Sequence, residues 1–262
     1  MEYQIQVKGR LMNLGKPQVM GILNATPDSF YSESRQQTEK QIAERAVQIA
    51  AQGGSIIDVG ACSTRPGAQQ ASQEDETARL RTALAIVRRE LPQAVVSVDT
   101  FRPEVARMAV EEYGADIVND VSEGSMEMFR MVARLRVPYI LMSVQPTLRD
   151  TLLAFAQKVQ QLHALGQKDI ILDPGFGFGK TLEQNYQLLN QLDHLSVLGL
   201  PLLVGVSRKS MIYRQLGVTP DEALNGTTVL NTVALAKGAT ILRVHDVREA
   251  IEAVKLTESL TL

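Results

Sequence analysis

Acids, amides and one guanidinium close a series of short apolar runs in this 262-residue chain. Asn24 follows 19–23, Asp58 follows 56–57 and Asp99 follows 95–98. Asn119 and Asp120 follow 117–118, Asp173 follows 170–172, and Arg243 follows 241–242. Runs rich in Val and Ile read as strands buried on both faces, and polar groups gathered at the C-terminal ends of such strands are where α/β barrels carry out chemistry. Asp99, Asn119 and Asp173 are the sharpest of the set. A buried carboxylate is costly unless paired, so acceptors converging on one cavity imply a ligand or cation that needs them. Taken alone, Asp99 has the plainer option of capping the helix that begins near Pro103.

Cations supply the complementary signal. Ser207-Arg208-Lys209-Ser210 and Arg243-Val244-His245-Asp246 follow the last two strands, where barrels often bind phosphate. Arg208, Lys209, Arg243 and His245 on adjacent strand ends would repel one another without an anion between them. Arg65, flanked by hydroxyls in 63–67, is a fork donor suited to an anion, and Asn24 offers an amide oxygen to a hard cation. The segment 173–181, ending Gly-Lys-Thr, imitates a nucleotide-binding P-loop. The spacing defeats that reading, because the first required glycine is replaced by Pro174. Its glycines instead predict a chain turning tightly past a ligand. His163 reads as part of a helical face, His194 as a surface turn and Cys62 as a small packing residue.

The elements that must position these groups are legible as alternating strand and helix. After a hairpin-like start, apolar residues at three- and four-residue spacing predict helices over 39–52, 74–91, 103–113, 126–136, 148–165, 182–192, 221–237 and 247–255. With strands at 138–142 and 201–206 added, the count is about eight βα units, enough to close a single-domain (β/α)8 barrel over 1–262 rather than an open doubly wound sheet. Thr181 is an N-cap candidate. The net charge of −2 gives no electrostatic footprint for nucleic acid. One cysteine and three scattered histidines offer neither a disulfide framework nor a Cys/His metal cluster. No stretch has the apolar length of a membrane span and 1–10 lacks a signal-peptide core, so a soluble cytoplasmic protein is expected.

Taken together, 21–30, 63–68, 97–100, 172–181, 205–210 and 243–246 resemble the dihydropteroate synthase family, the pterin-binding TIM barrels of folate biosynthesis that sulfonamides target. The resemblance spans about 19–255. It implies condensation of a hydroxymethyl-dihydropterin diphosphate with p-aminobenzoate, in an SN1-like reaction that releases pyrophosphate. It places the pterin on Asp173, Asn119 and Asp99, with Lys209 contacting the ring and Arg243 packing over it. It places the diphosphate near Thr64, Arg65, Arg243 and His245, with Mg²⁺ on Asn24. Phe30, Pro66, Phe178, Lys209 and Ser210 match the p-aminobenzoate pocket, and a homodimer is implied. Arg243, His245, Arg65 and Lys209 carry the expected catalytic roles.

The sequence also departs from the family pattern. Tyr31-Ser32-Glu33-Ser34 replaces a Ser-Asp-Gly-Gly continuation, Cys62 replaces a common Glu, and Ser143-Val144-Gln145 replaces His-Met-Gln. Two rival readings share the barrel: a methyltransferase taking a methyl group from a folate, and a catalytically silent pterin-binding paralogue.

Overall fold

The computed structural model describes residues 3–25, 32–61 and 71–260. The chain opens with an antiparallel hairpin, β1 (Gln4–Val7) and β2 (Arg10–Asn13). Lys8 and Gly9 both turn with positive φ, 52° and 71°, a two-residue connection whose twist suits the strands it joins. Eight strands then run parallel: β3 (Gln18–Asn24), β4 (Ile56–Gly60), β5 (Val95–Asp99), β6 (Ile117–Asp120), β7 (Tyr139–Met142), β8 (Ile170–Asp173), β9 (Leu203–Val204) and β10 (Ile241–Val244). Their order is β8-β7-β6-β5-β4-β3-β10-β9. A bridge between Leu172 and Leu202, with Leu172 N–H donating to the Pro201 carbonyl at 2.9 Å, brings the two end strands together and closes the barrel.

Side chains alternate along each strand, and the two faces have separate partners. Val19, Leu23, Ile57, Val59, Val96 and Val98 point outward into a layer shared with the helices. Met20, Ile56, Ile117, Ile140, Ile171, Leu203 and Ile241 point inward at the N-terminal end, where Ile5, Val7 and Leu14 of the hairpin region pack beneath them. Fully burying each such side chain contributes about 1.5–3 kcal/mol. This apolar plate is the floor of the barrel. Above it the inward positions turn polar, with Asp58, Ser97, Asn119, Asp173 and Arg243.

Around the barrel stand α1 (Ser32–Ala51), α2 (Gln73–Glu90), α3 (Pro103–Tyr113), α4 (Met126–Leu135), α5 (Leu148–Ala164), α6 (Leu182–Asn190), α7 (Ser210–Leu216), α8 (Leu224–Ala236) and α9 (Val247–Leu260). Pro103 opens α3, and Thr181 caps α6 in a reciprocal box with Gln184. Three differences from the sequence reading have physical causes. α1 begins at Ser32 rather than 39, because its first turns are polar throughout and carry no apolar period. α7 has no counterpart among the expected helices, its seven residues being too few to display a period. His194 lies in a 3-10 helix, Leu192–Leu198, that continues the α6 pattern past its end.

Candidate active site

The polar positions above the floor form one connected cluster. Arg243 stands between two carboxylates, its Nε 2.7 Å from Asp58 Oδ2 and its Nη2 2.7 Å from Asp99 Oδ2. Asn119 Nδ2 donates to the same Asp58 oxygen at 3.1 Å. The bonds reach across the barrel because Asp58, Asp99, Asn119 and Arg243 all occupy inward positions of β4, β5, β6 and β10. Asp99 therefore does not cap α3; its carboxylate is taken by Arg243. Asp173 Oδ1 accepts the Gly175 N–H at 2.7 Å. Asp120 is satisfied locally by the Tyr139 hydroxyl at 2.7 Å and by Ser122.

Acids outnumber cations in this space. Burial is the largest influence on Asp99 and raises it above the usual carboxylate range. Arg243 opposes that shift, while Asp58, Asp120 and Asp173 add to it. Asp173 is raised in the same way by burial, against Lys209 and its Gly175 hydrogen bond. Burial disfavours the Arg243 guanidinium, but Asp58 and Asp99 outweigh it and hold the arginine more firmly protonated than usual. Asp58 Oδ1, Ser97 Oγ and Asn119 Oδ1 are buried and have no hydrogen-bond partner among the described residues. Orphaned polar atoms at the base of a pocket cost free energy until something bonds them. A flat heterocycle with a donor-bearing edge would do so.

The mouth is built by the β8–α6 and β9–α7 connections. Gly175 has φ +70°, and a Cβ there would stand 2.1 Å from the Ser143 carbonyl oxygen; at Gly177 it would stand 3.1 Å from Lys209 Cδ. Only glycine lets this loop pass so close. Lys209 Nζ donates to the Phe176 carbonyl at 2.5 Å and lies 4.6 Å from the centre of the Phe178 ring. Burial lowers its pKa to about 8, despite the opposing pull of Asp173. Ser210 is the first residue of α7, directly after Lys209. Lys180 is no phosphate ligand: its Nζ folds back on the carbonyls of Ser143, Gly175 and Phe178 at 3.1, 3.1 and 3.3 Å. Lys180→Met is expected to lower stability by on the order of 1–2 kcal/mol, and the parent chain to show no ATP binding by calorimetry. A micromolar ATP affinity that disappears in the variant would overturn this assignment.

The remaining cations correct one sequence argument. Arg208, Lys209, Arg243 and His245 do not need a shared anion to coexist, because each has its own answer within the fold. Arg208 pairs with Asp246 through two contacts of 2.9 Å, Arg243 with Asp58 and Asp99, and Lys209 with a carbonyl beside Asp173. His245 escapes by remaining neutral. His245 is exposed at the mouth, yet partial desolvation of its ring, followed by the charge of Arg243, lowers its pKa to about 4. Asn24 ends β3 on the face that carries Met20 and Ile22 inward, and is exposed at the mouth. Phe30, Cys62, Thr64, Arg65 and Pro66 lie outside the described residues. A groove of about 620 Å³ between α3 and α4, lined by Phe101, Arg102 and Arg130 among others, lies outside the barrel and shares no residue with the cluster.

Asp58, Ser97 and Ser207 join the site without having been candidates from sequence. Asp58 is visible as a strand-end acid, but β4 continues to Gly60 and hides its depth. Ser97 gives no signal beyond strand parity.

The family model described as pterin binding enzyme matches residues 20–245, a span that contains the whole polar cluster on the inner wall of the barrel. Dihydropteroate synthase of Escherichia coli strain K12 is 37% identical, over 96% of this chain and 94% of its own length. The Xanthomonas albilineans dihydropteroate synthase solved with 4-aminobenzoic acid superposes with a TM-score of 0.91 at 34% identity, covering 100% of this chain and 99% of that one. The Yersinia pestis enzyme in a sulfonamide drug complex gives 0.88 at 34% identity, covering 99% of each. The match is end to end, and the chain belongs to the dihydropteroate synthase family.

Proposed function

We propose that this chain condenses 6-hydroxymethyl-7,8-dihydropterin diphosphate with p-aminobenzoate, giving 7,8-dihydropteroate and pyrophosphate for folate synthesis. The observation that carries the reading is the set of orphaned acceptors on a closed apolar floor. A pterin's guanidine-like edge brings donors to Asp58, Asn119 and Asp173. In the reaction the C–O bond to the diphosphate breaks first, and the arylamine nitrogen then forms a C–N bond to the pterin methylene carbon and gives up one proton to the released pyrophosphate or to water. Arg243, with His245 and Arg65, meets the negative charge that grows on the leaving group. Preorganised donors of this kind are worth most where charge develops in a dry site. Lys209 and the Phe178 ring form the wall against which the arylamine is oriented, and sulfonamides compete for the same wall.

Asn24 supplies one amide oxygen at the mouth. Among the described residues no group of three His, Cys, Asp or Glu could hold a metal, so those residues provide no complete cage. That fits Mg²⁺, which typically takes one or two protein oxygens and completes its shell with water and substrate phosphates. Bound there, the ion would neutralise diphosphate charge. Chelation is expected to stop pyrophosphate release and Mg²⁺ to restore it. Asn24→Ala should raise the Mg²⁺ concentration needed several-fold without changing the affinity for a diphosphate-free pterin.

No described helix is long and apolar enough to cross a membrane, which accords with a cytoplasmic location. A homodimer is proposed as well; Leu216, Val229 and Val233 are exposed apolar residues on α7 and α8, and size-exclusion chromatography with light scattering tests it. The decisive assay mixes protein, pterin diphosphate, p-aminobenzoate and Mg²⁺. Stoichiometric dihydropteroate and pyrophosphate are expected, and binding without pyrophosphate release would mark a silent paralogue instead.

A further inference from the structure

β9 and β10 lie side by side, and the residues just past their ends meet in two rungs. In the first, Ser207 Oγ accepts the His245 backbone N–H at 3.1 Å and lies 3.0 Å from His245 Nδ1. In the second, Arg208 Nε and Nη2 hold the two carboxylate oxygens of Asp246 at 2.9 Å each. Arg208 is fixed from further directions. Its backbone N–H donates to Thr227 Oγ1 at 3.0 Å, and its Nη1 to the carbonyls of Pro220 and Asp221 at 3.0 and 2.6 Å. It holds φ +53°, a conformation that a side-chain-bearing residue keeps only when its surroundings over-determine it. The strap leaves Ser207, which is 5% exposed, with little room to turn away from the imidazole.

The proton count on the hydroxyl then decides the ring. A serine oxygen has one proton to give and two lone pairs. One lone pair takes the His245 N–H; if the other took an Nδ1–H, the hydroxyl proton would have no acceptor among the described residues, whereas donation to Nδ1 satisfies it. An imidazole that accepts at Nδ1 and is neutral carries its own proton on Nε2. Among the described residues the charged groups around the ring are Arg243 on its own strand, Asp246 beside it, Arg45 from α1 and Arg208 from the β9 end. The three arginines disfavour an imidazolium, and Asp246, already paired with Arg208, favours it less than they oppose it. Arg45 Nη2 also donates to the His245 carbonyl at 2.6 Å, which fixes the backbone on the other side.

We propose that Ser207 is a positioning residue that fixes His245 as its Nε2–H tautomer, so that the ring presents a neutral hydrogen-bond donor, rather than an imidazolium, to the departing diphosphate. The role at the diphosphate rests on the synthase reading, whereas the tautomer does not. Ser207, held in place by the Arg208 strap, thus serves His245 without itself meeting the diphosphate.

Nitrogen-15 NMR of histidine-labelled protein at pH 7, without substrate, reads the tautomer directly. The chain has three histidines, so His245→Gln assigns the signal. The parent is expected to show an unprotonated Nδ1 and a protonated Nε2. In Ser207→Ala the two nitrogens should move toward a mixture of tautomers, and in Ser207→Thr, which keeps the hydroxyl, the parent pattern should return. Turnover should follow: kcat falls on the order of ten-fold in Ser207→Ala, KM for p-aminobenzoate stays constant, and Ser207→Thr recovers most of the loss. An Nδ1–H or imidazolium ring in the parent, or an unchanged ring in folded Ser207→Ala, would overturn the proposal, as would a shifted ring with unchanged kcat. Failure of the synthase reading shows separately, as a parent protein with the expected ring signals that releases no pyrophosphate.

Discussion

Arg243→Ala is expected to lose most of the enzyme's kcat/KM and a large part of its stability together. The guanidinium is the cation that Asp58 and Asp99 share, and both acids are buried. Removing one partner of a buried ionic cluster costs about 3–5 kcal/mol, because the other is left charged without compensation. A pH dependence follows. Asp99 is already raised by burial against the opposing pull of Arg243 and rises further without that cation, so the folded variant holds a proton there that the unfolded chain does not. Its stability therefore falls as pH rises above the carboxylate range and recovers as pH drops. Thermal melts of parent and variant from pH 5 to 8 should show a Tm gap that widens with pH. A constant gap would mean that the arginine packs without neutralising its neighbours. In the folded variant, kcat/KM should fall further than the affinity for a pterin lacking the diphosphate. Equal losses would make Arg243 mainly a residue that packs the ring.

Asp173→Asn is expected to weaken binding of a diphosphate-free pterin by tens to hundreds of fold. A charge-assisted hydrogen bond to a buried ligand is worth about 1.5–3 kcal/mol. The variant keeps an amide oxygen for the Gly175 N–H, so the loop after β8 should hold its shape and the loss should register in binding rather than in Tm. Because burial raises Asp173, its ionised, accepting form gives way to the acid at a higher pH than for an ordinary carboxylate. The parent's pterin affinity should fall as pH is lowered through that range while the variant's stays flat. Calorimetry at several pH values checks both statements, and equal affinity in parent and variant would move the ring away from Asp173.

The barrel is legible because Val- and Ile-rich runs ending on polar residues recur at regular intervals, and because most helices carry an apolar stripe. The strand expected over 201–206 is reduced to Leu203 and Val204 beside β10, with Leu202 making a single bridge to Leu172 and Pro201 able only to accept. Candidate residues are legible by type and place, whereas their pairing is not. Arg243 meets Asp58 and Asp99 across 185 and 144 residues of chain, and nothing local announces such a contact. Arg208 illustrates the opposite error. In sequence it belongs to a run of cations awaiting an anion, but Asp246, 38 residues later, already holds it. Depth is the other hidden quantity: parity says which residues face inward, but only the barrel's register sets Asp58 and Asn119 side by side.

The hairpin beneath the barrel has a kinetic consequence. Ile5, Val7 and Leu14 stopper the N-terminal end against the lowest ring of inward side chains, so among the described residues the site is a blind well entered from the C-terminal mouth. Whatever rests on Asp58 and Asn119 must arrive before anything that stands beside Phe178 and Lys209, because the later arrival blocks the way down. On the proposed reading, traffic is expected to be single-file: pterin first, arylamine second, with the joined product backing out through the opening by which its parts came in.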